Sequence, residues 1–184
     1  MDDRSIILVM GVSGSGKTTV GAMLAGQLGW KYAEADGFHP PANIEKMAAG
    51  QPLTDEDRKP WLAAIAAWID HQTATGQPGV VTCSALKRAY RDFLRAGRPQ
   101  VRLVYLKGSR DLIASRMAAR HGHFFAAAML DSQFADLQEP GPDEHALTVS
   151  IGGTPQQIVE DVLAQLGRQP CTGPDTTPSS SSGP

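Results

Sequence analysis

The sequence is poor in several things, and each shortage excludes a class of protein. Only two cysteines occur in 184 residues, Cys83 at the end of an apolar run and Cys171 in a polar tail, which leaves no disulfide framework and points to a reducing compartment. The formal net charge is −2, so no broad basic footprint exists for nucleic acid or an anionic membrane. The longest apolar runs fall far short of a membrane span. Met1-Asp2-Asp3-Arg4 is not the start of a signal peptide, and the expected location is the cytoplasm. Aromatic residues make up 6% of the chain and no internal repeat is visible. What remains is an ordinary soluble composition of a length suited to one domain with a sizeable core.

Against this plain background stands Gly11-Val12-Ser13-Gly14-Ser15-Gly16-Lys17-Thr18, which fits the phosphate-binding loop G-x-x-x-x-G-K-[ST]. It follows the apolar run Ile6-Ile7-Leu8-Val9-Met10 and precedes a helical pattern with Val20, Met23, Leu24 and Leu28 on one face, as that loop requires. Glycines let the backbone turn its N–H groups toward an anion, and the helix N-terminus adds its positive end. Lys17 supplies charge for the β- and γ-phosphates of ATP, and the Thr18 hydroxyl is placed to ligate Mg²⁺. The expected nucleotide contacts are Gly11, Ser13, Gly14, Ser15, Gly16, Lys17, Thr18 and Thr19, with Thr18 the metal ligand.

Strand patterns over 6–10, 31–35, 80–84, 101–106 and 146–151 alternate with helices over 17–28, 85–95, 111–120, 126–137 and from Pro155 onward. Between the second and third strands, two helices flank a Gly50-Gln51-Pro52 turn. The longer of them is capped by Thr54 with Asp57 three residues on, and runs to Gly76. This order predicts an α/β fold with a parallel sheet wrapped on both faces and a ligand at the carboxyl ends of the strands. The domain spans 1–167. Residues 168–184, rich in Pro, Gly, Ser and Thr, read as a disordered polar tail.

Polar residues after strands are the candidates for chemistry. Asp36 follows strand two and is expected to orient an acceptor hydroxyl and take its proton, with a water-mediated contact to Mg²⁺. His39, Lys46 and Arg58 are candidates for the substrate pocket, although each taken alone is more often a surface or satisfied polar residue. Ser84, Lys87 and Arg91 follow strand three at an expected helix N-terminus, a natural anion site. Arg116 and Arg120, one turn apart, are placed on a lid where arginine stabilises the transferring phosphoryl group. The alternative, two exposed arginines on a helix, has about equal weight. His121 and His123 lack partners at ligand spacing, so no zinc site is expected.

Several runs together resemble the gluconokinases of the small thermoresistant bacterial type. They are the phosphate loop, Asp36-Gly37-Phe38-His39-Pro40, Asn43-Ile44-Glu45-Lys46-Met47, the run from Pro52 to Leu62 containing Asp57-Arg58-Lys59-Pro60-Trp61, Cys83-Ser84-Ala85-Leu86-Lys87, Tyr90-Arg91-Asp92 and Ser132-Gln133-Phe134. The resemblance runs from about residue 6 to 166. It departs in the lid, where Phe125-Ala126 stands in place of a Met-Pro pair, and in the tail. It implies a P-loop kinase fold with a five-stranded parallel sheet, a mobile helical lid over about 116–138, and a homodimer. It implies ATP-dependent phosphorylation of D-gluconate at its terminal hydroxyl. The gluconate carboxylate would then be met by cations drawn from His39, Arg58, Lys87 and Arg91. Rival readings are a kinase of another small acid or polyol, such as shikimate, and a nucleotide-dependent switch. The switch lacks both an Asn-Lys-x-Asp and an Asp-x-x-Gly motif.

Overall fold

The structure is a computed structural model that describes residues 5–121 and 123–167, with backbone alone for 119–121 and 123–129. The expected tail therefore lies outside the described residues. Among the described residues five strands form one parallel sheet in the order β2-β3-β1-β4-β5. They are β1 (Ile6–Met10), β2 (Lys31–Glu34), β3 (Gly79–Thr82), β4 (Val101–Lys107) and β5 (Leu147–Ser150). Among the described residues seven helices accompany them: α1 (Lys17–Leu28), α2 (Pro41–Ala48), α3 (Asp55–Ala74), α4 (Arg88–Arg95), α5 (Arg110–His121), α6 (His123–Asp136) and α7 (Pro155–Gln165).

The central strand β1 is buried at all five positions, and its side chains alternate between two cores. Ile7 and Val9 join Val20 and Leu24 of α1, Ile113 and Met117 of α5, Leu130 of α6 and the apolar face of α7. Ile6, Leu8 and Met10 face the opposite way, against Trp61, Leu62, Ile65 and Ile69 of α3 and Leu94 of α4. The order reverses beside β1, so the loop after it opens at the switch point of the sheet, where doubly wound folds bind ligands.

Local chemistry explains the boundaries. Thr54 accepts from the Asp57 amide while Asp57 accepts from the Thr54 amide, a complete capping box at the start of α3. The second strand stops at Glu34, one residue short of the expected end, because Ala35–Phe38 close into a 3₁₀ turn. The third strand stops at Thr82, and α4 starts at Arg88 rather than at residue 85. Ala85 has a positive φ of 43°, which no helix can continue through. Helix α6 starts at His123, three residues before the expected 126.

Candidate active site

A cavity of about 890 Å³ opens at the carboxyl ends of β1, β2 and β3. It is lined by Ser13, Gly14, Gly16, Lys17, Thr18 and Thr19 of the phosphate loop, and also by Asp36, His39 and Arg58. Residues separated by more than forty positions in sequence are thus brought to one wall. A second cavity of about 630 Å³, beside Lys107, Ser109 and Thr148, contains none of the expected site residues.

The phosphate loop has the geometry that its sequence requires. Gly11 and Gly14 have φ of 151° and 82°. A Cβ on Gly11 would lie 2.7 Å from Ser15 Oγ, and one on Gly14 would lie 2.6 Å from Met117 Cγ. Side chains are therefore excluded by conformation and by space. Ser15 is fully buried, with its hydroxyl turned inward and without a hydrogen-bond partner, so only its main chain can serve a nucleotide. Gly11 likewise stands behind the loop rather than on the cavity wall.

Lys17 sends its ammonium to the Val12 carbonyl at 3.0 Å, curling over the loop. Burial lowers its pKa, while nearby Asp36 and Glu34 pull the other way. A desolvated cation held over the phosphate loop is matched to an incoming polyanion. The Thr18 hydroxyl donates to the Glu34 carboxylate at the end of β2. Glu34 escaped the sequence reading. Its only signal was its place at the end of a strand, two residues before Asp36.

The substrate side is built from the segment after β2. The His39 ring stacks on Trp61, with centroids 4.6 Å apart and planes 7° from parallel. Trp61 Nε1 donates to the Ala35 carbonyl at 2.7 Å, so this tryptophan is both core and cavity wall. Burial lowers the His39 pKa; Asp36 opposes that shift and Arg58 adds to it. Arg58 Nη1 donates to Tyr90 Oη at 3.1 Å and lies 3.6 Å from Asp55, which steadies the guanidinium at the cavity edge. Cys83 also lines the cavity, and burial pushes its thiol up to about 12.

Other expected site residues have different positions. Arg91 is fully buried and forms a two-pronged pair with Glu144, Nε to Oε2 at 2.5 Å and Nη2 to Oε1 at 2.8 Å. Its Nη1 donates to the Ala85 and Leu86 carbonyls at 3.1 and 2.9 Å. This corrects the expectation that Arg91 meets substrate, because its donors are spent inside the fold. Lys87 is the residue preceding α4 and pairs with Asp55 at 2.7 Å, and it does not join the cavity lining. Ser84 reaches the cavity, but from a loop and not from a helix N-terminus. Lys46 pairs with Asp57 at 2.7 Å. Arg116 donates to the Ile151 carbonyl at 2.7 Å, joining α5 to the turn after β5. Arg120 and the Phe125-Ala126 pair lie outside the described side chains.

Helices α5 and α6 reach back to the phosphate loop. Met117 packs beneath Gly14, and Gln133 Oε1 accepts from the Ser13 amide at 2.9 Å. One of the loop donors is therefore held by a protein side chain. Sequence reasoning quoted Gln133 within a motif but gave it no role. Among the described residues no group of three or more His, Cys, Asp or Glu stands together as a metal cage, and no helix is long and apolar enough to cross a membrane.

Comparison with known proteins places this geometry in context. The AAA domain family matches residues 6–140. A gluconokinase from Gluconobacter oxydans (strain 621H) is 48% identical over 157 residues, covering 85% of this chain and 88% of that protein. The thermoresistant gluconokinase of Escherichia coli (strain K12) is 51% identical over 163 residues, covering 88% and 91%. The crystal structure of a gluconokinase from Sinorhizobium meliloti 1021 superimposes with a TM-score of 0.80 at 43% identity, covering 91% of this chain and 94% of that one.

Proposed function

The chain belongs to the gluconokinase family, and from that premise we propose how its residues transfer the γ-phosphoryl group of ATP to the terminal hydroxyl of D-gluconate. The observation that carries this reading is a single cavity in which Lys17 and Thr18 of the phosphate loop face Asp36, His39 and Arg58. The loop amides and Lys17 hold the phosphates. Asp36 orients the acceptor hydroxyl and accepts its proton as that oxygen bonds to the γ-phosphorus and the bond to the ADP oxygen breaks. Arg58 supplies the cation for the gluconate carboxylate, and the His39 ring supplies a directional polar contact.

Thr18 and Glu34 offer hard oxygen ligands beside the loop, which suits Mg²⁺, an ion held by few protein groups together with phosphates. When bound, Mg²⁺ neutralises developing phosphate charge; Thr18 and Glu34 are the residues that would hold it. Residues from about 116 to 138 are the expected lid, closing to exclude water. We further infer a homodimer, for which exposed apolar side chains such as Ile44 and Phe93 offer contact surface, and a cytoplasmic location.

The deciding experiment is ADP release with Mg-ATP against D-gluconate, shikimate, D-glucose, AMP and no acceptor. Stimulation by gluconate alone supports the reading, and stimulation by a different acid overturns the substrate while sparing the mechanism. Asp36→Asn is expected to lose turnover by about 10²- to 10⁴-fold while retaining ATP binding. Near-normal phosphorylation by that variant removes Asp36 from the mechanism.

A further inference from the structure

We infer that Asn43 fixes the His39 ring with its proton on Nε2, so that the ring offers substrate a hydrogen-bond donor and not an acceptor. The inference deepens the reading above, since it rests on His39 facing gluconate.

Asn43 sits in α2 and is only 3% exposed. Its Nδ2 lies 2.8 Å from the Asp57 main-chain carbonyl, an atom that can only accept. That contact decides which end of the amide is nitrogen. The same Nδ2 lies 3.4 Å from His39 Nδ1. An amide nitrogen brings two hydrogens and no lone pair for bonding, so one hydrogen serves Asp57 and the other meets Nδ1. His39 Nδ1 must therefore be the unprotonated nitrogen, and the ring proton sits on Nε2.

The ring is also held in place. It lies flat on Trp61, whose indole is tied to the Ala35 carbonyl. A half-turn of the imidazole would set a carbon against the Asn43 amide and lose the bond. The charged groups that act on the ring are Asp36 from its own 3₁₀ turn and Arg58 from α3, and they oppose each other. The outcome is a division of labour. Arg58 carries the positive charge, and His39 gives a neutral, directional donor to a gluconate oxygen. A fixed donor on the cavity wall discriminates against any acid that lacks an acceptor at that point.

The test is a long-range ¹H–¹⁵N correlation spectrum of the full chain labelled at histidine nitrogen, with His39→Gln used to identify the resonance. The expected result is a neutral ring protonated on Nε2 at neutral pH, with resonances that move when D-gluconate is added. A ring protonated on Nδ1, or one carrying both protons at neutral pH, overturns the inference. The variant Asn43→Asp replaces the donor by an acceptor. It should move the proton to Nδ1, favour the charged ring and raise the gluconate KM about 10-fold, leaving the ATP KM unchanged. A folded Asn43→Asp protein with the wild-type ring state and gluconate KM also overturns it. If Asn43→Asp does not fold, the wild-type spectrum decides alone. A ring protonated on Nε2 that ignores gluconate during normal turnover refutes the substrate role of His39, and with it the function ascribed to Asn43.

Discussion

Arg91→Ala tests whether this arginine braces the fold or meets substrate. The Arg91 and Glu144 side chains are 0% and 2% exposed, so truncation leaves a buried carboxylate whose remaining partner is the Gly141 amide at 3.0 Å. It also strips the Arg91 donor from the carbonyls of Ala85 and Leu86, at the turn where Ala85 takes a positive φ. Removing one partner of a buried, hydrogen-bonded ion pair costs about 3–5 kcal/mol. For a domain of this size that corresponds to a fall in Tm of about 6–20 °C. Urea and thermal unfolding measure the loss, and KM values for gluconate and ATP are taken at a temperature where both proteins are folded. The reasoning requires a large stability loss with a modest change in gluconate KM. An unchanged Tm with a strongly raised gluconate KM would refute it and restore Arg91 to the substrate pocket. The pair also has a pH signature. Arg91, and then the Gly141 amide, hold the Glu144 carboxyl below its ordinary 4.5. With the folded pKa depressed, the stabilisation is complete above the unfolded value and lost as pH falls through the folded one. The gap between wild type and Arg91→Ala should therefore narrow as pH drops below about 4.5. The double variant Arg91→Met/Glu144→Leu should recover much of the loss, since two apolar groups leave no buried charge behind.

Lys17→Met should lower kcat by about 10²-fold or more without lowering Tm, because the fold loses only a partly desolvated ammonium; near-normal kcat would contradict the phosphate role. Gly14→Ala sets a Cβ at φ 82° and 2.6 Å from Met117 Cγ. It should cost about 1 kcal/mol or more and raise the ATP KM, which unfolding curves and kinetics would check. Gln133→Ala frees the Ser13 amide from its protein acceptor, so calorimetry should find ATP binding roughly 2- to 10-fold tighter; weaker binding would show that Gln133 assists the nucleotide rather than competing with it. Asp57 is held at about 2 by Lys46, with Thr54 adding to the shift, so its contribution is complete above 3.8 and fades as pH falls toward 2. Asp57→Asn should remove that part of the acid sensitivity of Tm.

The phosphate loop was legible because its physics is local. Adjacent residues make the cradle, the strand before it is uniformly apolar, and each glycine is needed where it stands. The α3 cap was legible for the same reason, since Thr54 and Asp57 are three residues apart and satisfy each other. The start of α4 was not legible. Ser84-Ala85-Leu86-Lys87 carries no glycine or proline to mark a turn, and alanine rarely adopts a positive φ on its own account. What holds Ala85 there is Arg91, and what holds Arg91 is Glu144, 53 residues further on.

The same separation explains why the substrate cations could not be sorted from sequence. Lys46, Arg58, Lys87 and Arg91 look equivalent in a linear chain, and their carboxylate partners tell them apart. Asp57 takes Lys46, Asp55 takes Lys87, and Glu144 takes Arg91 into the core. Asp55 approaches Arg58 only at 3.6 Å, and Arg58 alone of these four reaches the cavity wall. Burial sets Arg91 apart from the other three, and Lys46 and Lys87 stand outside the cavity lining that Arg58 joins. On the proposed function, the task of meeting a gluconate carboxylate would fall to Arg58, beside the histidine whose proton we assign to Nε2 through Asn43.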